Sequence, residues 1–326
     1  MKLAVATGKI NSLWKKEMDN LAADHPELSI EVVTVADDPS VRDARIIMGT
    51  MISEKLLTLA EELEVLAIPL AGVNHLPLEL LREKGVKLAN AHANARYVAE
   101  RVLALTLGYF GKLVPYHQEL AEERWNGFSV NDPVTQSWDS IVGMRVAVLG
   151  AGAIGEWTAR MFKLFDCYVV GFRRTPGAAQ EPYDEMTSSL EAALAGSQIV
   201  INALPLTEQT RGLLGSREFK AMEGALFVNV GRGAVADQKA LYTAVKERVL
   251  RGAAIDTWYN YPAPGERKQA PSDYPIHKLE NVLLSPHLGG YTPKAVAASI
   301  AEIFRKVDHY LRTGELLEAV DLSKEY

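Results

Sequence analysis

Residues 145–162 read RVAVLGAGAIGEWTARMF, an apolar run, a cluster of glycines and a helix-forming segment in direct succession. Arg145 to Leu149 has the composition of a buried strand, and Gly150, Gly152 and Gly155 follow it at GxGxxG spacing. In such a turn the first glycine allows the tight bend and the second lets a pyrophosphate approach the backbone. The third lets the helix pack on the strand, with Ala153 and Ile154 in the first turn, where anionic oxygens meet free N–H groups. A dinucleotide site is expected. The next strand, CYVVGF, selects the cofactor. NAD-binding versions place an acid about 20 residues on, to hold the ribose hydroxyls; here the strand runs into Arg173-Arg174-Thr175. Guanidinium groups suit an adenosine 2′-phosphate, and no carboxylate repels it. NADP(H) is the expected cofactor, with NAD(H) as the alternative.

On both sides of this stretch, short apolar runs alternate with helix-period segments, the pattern of βαβ units on parallel sheets. CYVVGF, QIVINAL, ALFVNV, GAAID and NVLLSP bring the downstream strands to six. Upstream, LAVA near Leu3, IEVV at Ile30, ARIIM at Ala44, LAIP at Leu66 and VKLA at Val86 suit a smaller flavodoxin-type unit. The expected fold class is therefore α/β with two doubly wound parallel-sheet domains, consistent with a 326-residue chain. One long helix is expected from about Ala95 to Leu120. Val98, Val102, Leu103, Leu105, Leu107, Phe110 and Leu113 exceed a single buried stripe, so part of it should meet a second copy in a homodimer. The stretch from Pro293 to Leu311 has helical apolar spacing and should return to the first domain. The proline-rich segment from Tyr261 to Pro275 can be neither helix nor inner strand.

A formal net charge of −6, without a block of Lys or Arg, argues against nucleic acid or an anionic membrane as partner. Cys167 is the only cysteine, so no intrachain disulfide can form. The opening MKLAVATGKI lacks the apolar core of a signal segment, and no run approaches the roughly 18–20 apolar residues of a membrane span. No CxxC or HExxH spacing points to a metal. The expectation is a cytoplasmic protein acting on a small molecule.

Two strand ends carry the candidate chemistry. In ALFVNVGRGAVAD, Arg232 stands between Gly231 and Gly233 just past an apolar strand, the edge where α/β sheets place ligands. An arginine there can pair with a carboxylate and polarise the adjacent carbonyl. In NVLLSPHLGG, His287 follows another strand end, and Gly289 and Gly290 leave room for a ligand. Reducing a ketone needs a proton at the developing alkoxide, which an imidazole can supply.

Taken in order, YVAERVLALTLGYF, GAGAIG, ALPLTEQTRGLL, FVNVGRGAVAD, RGAAIDTW and LSPHLGGYT resemble the D-isomer-specific 2-hydroxyacid dehydrogenase family, its NADP-type glyoxylate/hydroxypyruvate reductase-like members in particular. The resemblance implies a Rossmann nucleotide-binding domain, residues 94–286, inserted into a flavodoxin-like substrate domain, 1–93 plus 287–326, with the active site in the cleft between. It implies that Arg232 binds and polarises a 2-keto acid and that His287 is the acid/base. Ala71, Gly72 and Val73 would offer backbone N–H groups to the substrate carboxylate. Ala203, Leu204, Pro205, Thr210, Val230 and Asp256 match cofactor-contacting positions. One position departs from the pattern: where members carry a Glu that raises the histidine pKa, this chain has Tyr261. A neutral phenol supports an imidazolium less than a carboxylate does, so His287 should titrate nearer its unperturbed value of about 6.5. Asp256 and Glu266 are the candidate substitutes for that acid. The loops at Met48–Ile52 and Ala71–His75, with either Trp258 or the proline-rich loop, are expected to line the substrate pocket. Asn94 and YPAPGE also resemble formate dehydrogenases of the same superfamily, with Asn94 as a substrate contact. A non-catalytic nucleotide sensor of this fold is the remaining alternative.

Overall fold

The structure is a computed structural model describing residues 1–325 except 9, 36 and 176. It divides into Met1–Asn94 together with the chain from Tyr291 onward, and Ala95–Gly290. Asn94 thus falls in the first unit and His287 to Gly290 in the second, the reverse of the sequence-based boundaries. The hydrogen bonds that draw residues 288 and 289 to Asp256 account for the second shift.

In the first unit the five apolar runs become β1 (Lys2–Ala6), β2 (Ser29–Val33), β3 (Ile46–Gly49), β4 (Val65–Ala67) and β5 (Lys87–Ala89). All are parallel, in the order β2-β1-β3-β4-β5. Helices α1 (Ser12–Asp24), α2 (Glu54–Leu59) and α3 (Leu78–Glu83) connect them. Parallel strands are covered on both faces, which is why β3 and β4 are buried at every residue and apolar apart from the glycine that ends β3.

The second unit begins with a correction. The expected single helix is two, α4 (Ala95–Phe110) and α5 (Leu113–Ala121), broken where Gly111 and Lys112 intervene and Lys112 turns left-handed at φ 49°. Val98, Val102, Leu105 and Phe110 are buried, whereas α5 buries none of its residues. The exposed apolar surface continues past it, with Phe128 93% and Val134 86% exposed. Next come β6 (Arg145–Leu149), α6 (Ala153–Lys163), β7 (Tyr168–Phe172), β8 (Glu185–Thr187), α7 (Leu190–Leu194), β9 (Ile199–Asn202), α8 (Ser216–Ala221), β10 (Leu226–Asn229), α9 (Gln238–Lys246), β11 (Gly252–Ile255) and β12 (Val282–Leu284). The sheet is parallel, ordered β12-β11-β10-β9-β6-β7-β8. It has seven strands, not six, because β8 is a three-residue, half-buried edge strand without an apolar run.

The last helix, α10 (Pro293–Thr313), returns to the first unit. Thr292 caps its start through Oγ1, Pro293 fits the first turn, and Gly314 at φ 76° ends it. Its inner face carries Ile300, Ile303, Phe304 and Val307, with Phe304 set edge-on to Trp14 of α1 at 5.6 Å between centroids. Among the described residues, no helix is long and apolar enough to cross a membrane.

Candidate active site

The glycine turn after β6 is built as its spacing requires. Gly150 has φ 101°, and a Cβ there would lie 2.8 Å from the Ala203 carbonyl carbon; a Cβ on Gly155 would lie 2.2 Å from Gly150 O. Gly152 has nothing within 4 Å of its Cβ position, so its backbone is open to an incoming group. It also caps α6 without a side chain, leaving the first N–H groups of Ala153, Ile154 and Gly155 for an anion. Gly150 N and Ala151 N donate to Phe172 O at 3.0 and 3.1 Å, which puts the exposed Arg173-Arg174-Thr175 segment beside the turn. A dinucleotide fits these residues.

Further along the same sheet edge, buried asparagines hold the Arg232 turn. Asn202 Nδ2 donates to Asn229 Oδ1 at 2.9 Å, Asn229 Nδ2 donates to Arg232 O at 3.3 Å, and Gly231 N donates to Asn229 Oδ1 at 3.2 Å. Val230 N and Gly231 N also donate to Asn202 O. With both carboxamides buried and engaged, the turn cannot drift without leaving polar atoms unpaired. Arg232 leaves it in extended backbone, and its Nη1 donates to Gly231 O at 2.7 Å. Burial pulls its pKa below the usual arginine value, yet the group stays charged. Ala203, Leu204 and Pro205 follow β9, with Thr210 Oγ1 donating to Pro205 O at 2.6 Å.

His287 sits past β12 at φ 58°, a left-handed backbone uncommon for a non-glycine residue. Its loop is gathered by Asp256, which is 1% exposed. The carboxylate accepts from Ser285 Oγ, from Leu288 N at 3.1 Å and from Gly289 N at 3.0 Å. A Cβ on Gly289 would lie 2.9 Å from Asp256 Oδ2, so only glycine allows this approach. Burial of part of the ring and the Arg232 charge push the His287 pKa below 6.5, against the pull of Asp256. It therefore titrates lower than the sequence suggested. The charges of Arg232 and Asp256 thus both reach the His287 imidazole.

Tyr261 does not replace the missing acid. Its ring lies 5.4 Å from the imidazole centroid, tilted by 49°, while its hydroxyl accepts from Trp258 N at 3.0 Å. Burial pushes its pKa up and keeps it neutral at pH 7. Glu266 is exposed in the proline-rich loop, and the carboxylate that acts on His287 is that of Asp256. Trp258, one of the two candidates for that side of the substrate pocket, is 7% exposed in the core, with Nε1 donating to Ser285 O at 2.8 Å. Ala71, Gly72, Val73 and Asn94 lie in the first unit. Asn202, Asn229 and Ser285 escaped the sequence reading; an Asn ending each of two neighbouring apolar strands was the available signal. No group of three metal-ligating side chains occurs among the described residues.

Comparison with known proteins follows the same lines. The model of the D-isomer specific 2-hydroxyacid dehydrogenase NAD-binding domain matches residues 103–289. A D-3-phosphoglycerate dehydrogenase of Methanocaldococcus jannaschii is 28% identical over 289 residues, 86% of this chain and 52% of that protein. The chain thus spans about half the length of the first curated relatives it matches. Among solved structures, a glyoxylate reductase from Paecilomyes thermophila superposes with a TM-score of 0.83 at 19% identity, each chain covered to 99%. An NADPH-dependent glyoxylate/hydroxypyruvate reductase from Sinorhizobium meliloti, solved with NADP and malonate, gives 0.79 at 22% identity, covering 99% of this chain and 98% of the other. The family model covers more than half of the chain, the glycine turn, Arg232 and His287 included, and the chain belongs to the D-isomer specific 2-hydroxyacid dehydrogenase family.

Proposed function

We propose that this chain is an oxidoreductase transferring a hydride between NADP(H) and a small 2-keto or D-2-hydroxy acid. The observation that carries the reading is the Arg232 charge acting on His287, the two contributed by different strand ends of one parallel sheet. When bound, the nicotinamide cofactor supplies or accepts the hydride. Gly150, Gly152, Gly155 and the α6 N-terminus would hold its pyrophosphate, and Arg173, Arg174 and Thr175 a 2′-phosphate. Arg232 pairs with the substrate carboxylate and draws electron density from the neighbouring carbonyl. His287 donates its proton to that carbonyl oxygen during reduction and takes it back during oxidation. In the first unit, the backbone N–H groups of Ala71–Val73 are assigned to a substrate carboxylate by the family resemblance.

A panel of glyoxylate, hydroxypyruvate and larger 2-keto acids with NADPH or NADH, and D-3-phosphoglycerate with NADP⁺ or NAD⁺, tests the reading. Turnover faster with NADPH is expected. Arg232→Ala should lower both affinity and rate, and His287→Ala mainly rate. Tight NADPH binding without turnover on any substrate would instead favour a nucleotide sensor. The exposed apolar surface around α5 supports assembly as a homodimer, and a monomeric mass in solution would refute that.

A further inference from the structure

We propose that Lys306, Glu302 and Asn90 are positioning residues for the backbone that receives the substrate carboxylate, an inference that rests on the function proposed above. Lys306 lies within α10 and is 0% exposed. A buried ammonium is tolerated only when its donors are met. All three are: Nζ approaches Asn90 O at 3.0 Å, Glu302 Oε1 at 3.1 Å and Glu318 Oε2 at 3.0 Å. The other oxygen of Glu302 accepts from His92 N at 2.7 Å and Ala93 N at 2.6 Å. Two side chains one helical turn apart therefore grip residues 90–93 through a carbonyl and two amides.

Asn90 passes that constraint on. It is 3% exposed, and its Nδ2 donates to Ala71 O at 2.7 Å, while Ala91 N donates to Leu70 O at 3.1 Å. Ala71 opens the loop whose N–H groups are assigned to the substrate. At the far end of the gripped segment stands Asn94, whose buried Oδ1 has no hydrogen-bond partner among the described residues. A chain of charge-assisted and neutral hydrogen bonds thus runs from α10 to Ala71 and to Ala93, the residue before Asn94. Packing alone does not require it, because buried ion pairs exchange for apolar residues with little loss of stability. Apolar residues, however, cannot fix the direction of a carbonyl or an amide, and a backbone anion site depends on prealigned N–H groups.

The test is steady-state kinetics of the whole chain on its best 2-keto acid at saturating NADPH. Asn90→Ala removes only the link to Ala71, and the double variant Glu302→Leu/Lys306→Met removes the grip, leaving Glu318, whose side chain is 67% exposed, to be solvated by water. Loss of one such hydrogen bond should raise KM for the keto acid about fivefold in each variant, with kcat within about twofold and NADPH affinity unchanged. Thermal unfolding identifies folded variants, and Asn90→Ala decides alone if the double variant does not fold. A KM within twofold of wild type, or NADPH affinity falling in step with KM, overturns the inference. A wild type inert on the whole panel overturns the proposed function and this inference with it, whereas an active wild type with unresponsive variants overturns the inference alone.

Discussion

Replacing Asp256 by Asn probes how the proposed acid/base is aimed. His287 is held at φ 58°, and a non-glycine residue in that region costs roughly 1–2 kcal/mol. Leu288 N at 3.1 Å and Gly289 N at 3.0 Å bind the Asp256 carboxylate, one to each oxygen. Hydrogen bonds to a charged acceptor contribute about 1.5–3 kcal/mol each, so the pair outweighs the strain and a single one about equals it. An Asn at this position can accept at one oxygen only by turning its NH₂ group toward the other donor. The variant loses one such bond, and with it the margin that keeps the imidazole in place. Since each 1.4 kcal/mol is a factor of ten, kcat for keto acid reduction should fall about tenfold or more. The pH profile adds an independent sign. Reduction consumes the imidazolium, whose pKa in the wild type lies below 6.5, so the rate falls as pH rises through that region. Asp256 is the group that raises this pKa, and its loss should move the limb to still lower pH. The assay is kcat/KM for NADPH-driven reduction from about pH 5 to 9, with thermal unfolding to show that the variant is folded. An unmoved limb with kcat within twofold of wild type would refute this account of Asp256.

Three other outcomes follow from the same geometry. Tyr261→Glu puts a carboxylate beside the imidazole and should raise its apparent pKa by about one unit, extending reduction to higher pH; a profile unchanged in position counts against the contact. Gly155→Ala forces a methyl to within 2.2 Å of Gly150 O, so NADPH affinity measured by fluorescence titration should fall at least about tenfold, and wild-type affinity would contradict the turn's role. Arg173→Ala/Arg174→Ala should raise KM for NADPH about 30-fold while sparing NADH, and equal losses with both cofactors would remove these arginines from phosphate recognition.

Much of the architecture was legible because buried parallel strands read as apolar runs, as Ile46–Gly49 and, up to its final Asn, Leu226–Asn229 show. Edge strand Glu185–Thr187 was not, since a half-buried strand of three residues carries no apolar run. The break after Phe110 was hidden by Leu113 and Val114, apolar residues that continue the helical pattern although they are exposed. At the site, Arg232 and His287 stood out because arginine and histidine between or before glycines at strand ends carry a chemical signal. Their supports did not. Asn202, Asn229 and Ser285 act through hydrogen bonds to backbone, and nothing in their identity tells which turn they hold. The left-handed His287 and the role of Asp256 needed coordinates, because both depend on two loops 30 residues apart meeting.

The docking of α10 has a bearing on how the molecule is made. Ile300, Ile303, Phe304 and Val307 complete one side of the first unit's core, and His25, which caps the C-terminus of α1, meets Asp308 at 2.8 Å. β1 to β5 leave the ribosome before the nucleotide unit, yet the part of their apolar face that α10 covers beside α1 stays open until α10 follows that whole unit. The contiguous nucleotide unit has all its strands by Leu284, so it can mature earlier, and the nascent N-terminal sheet is the part most in need of chaperone shelter during translation.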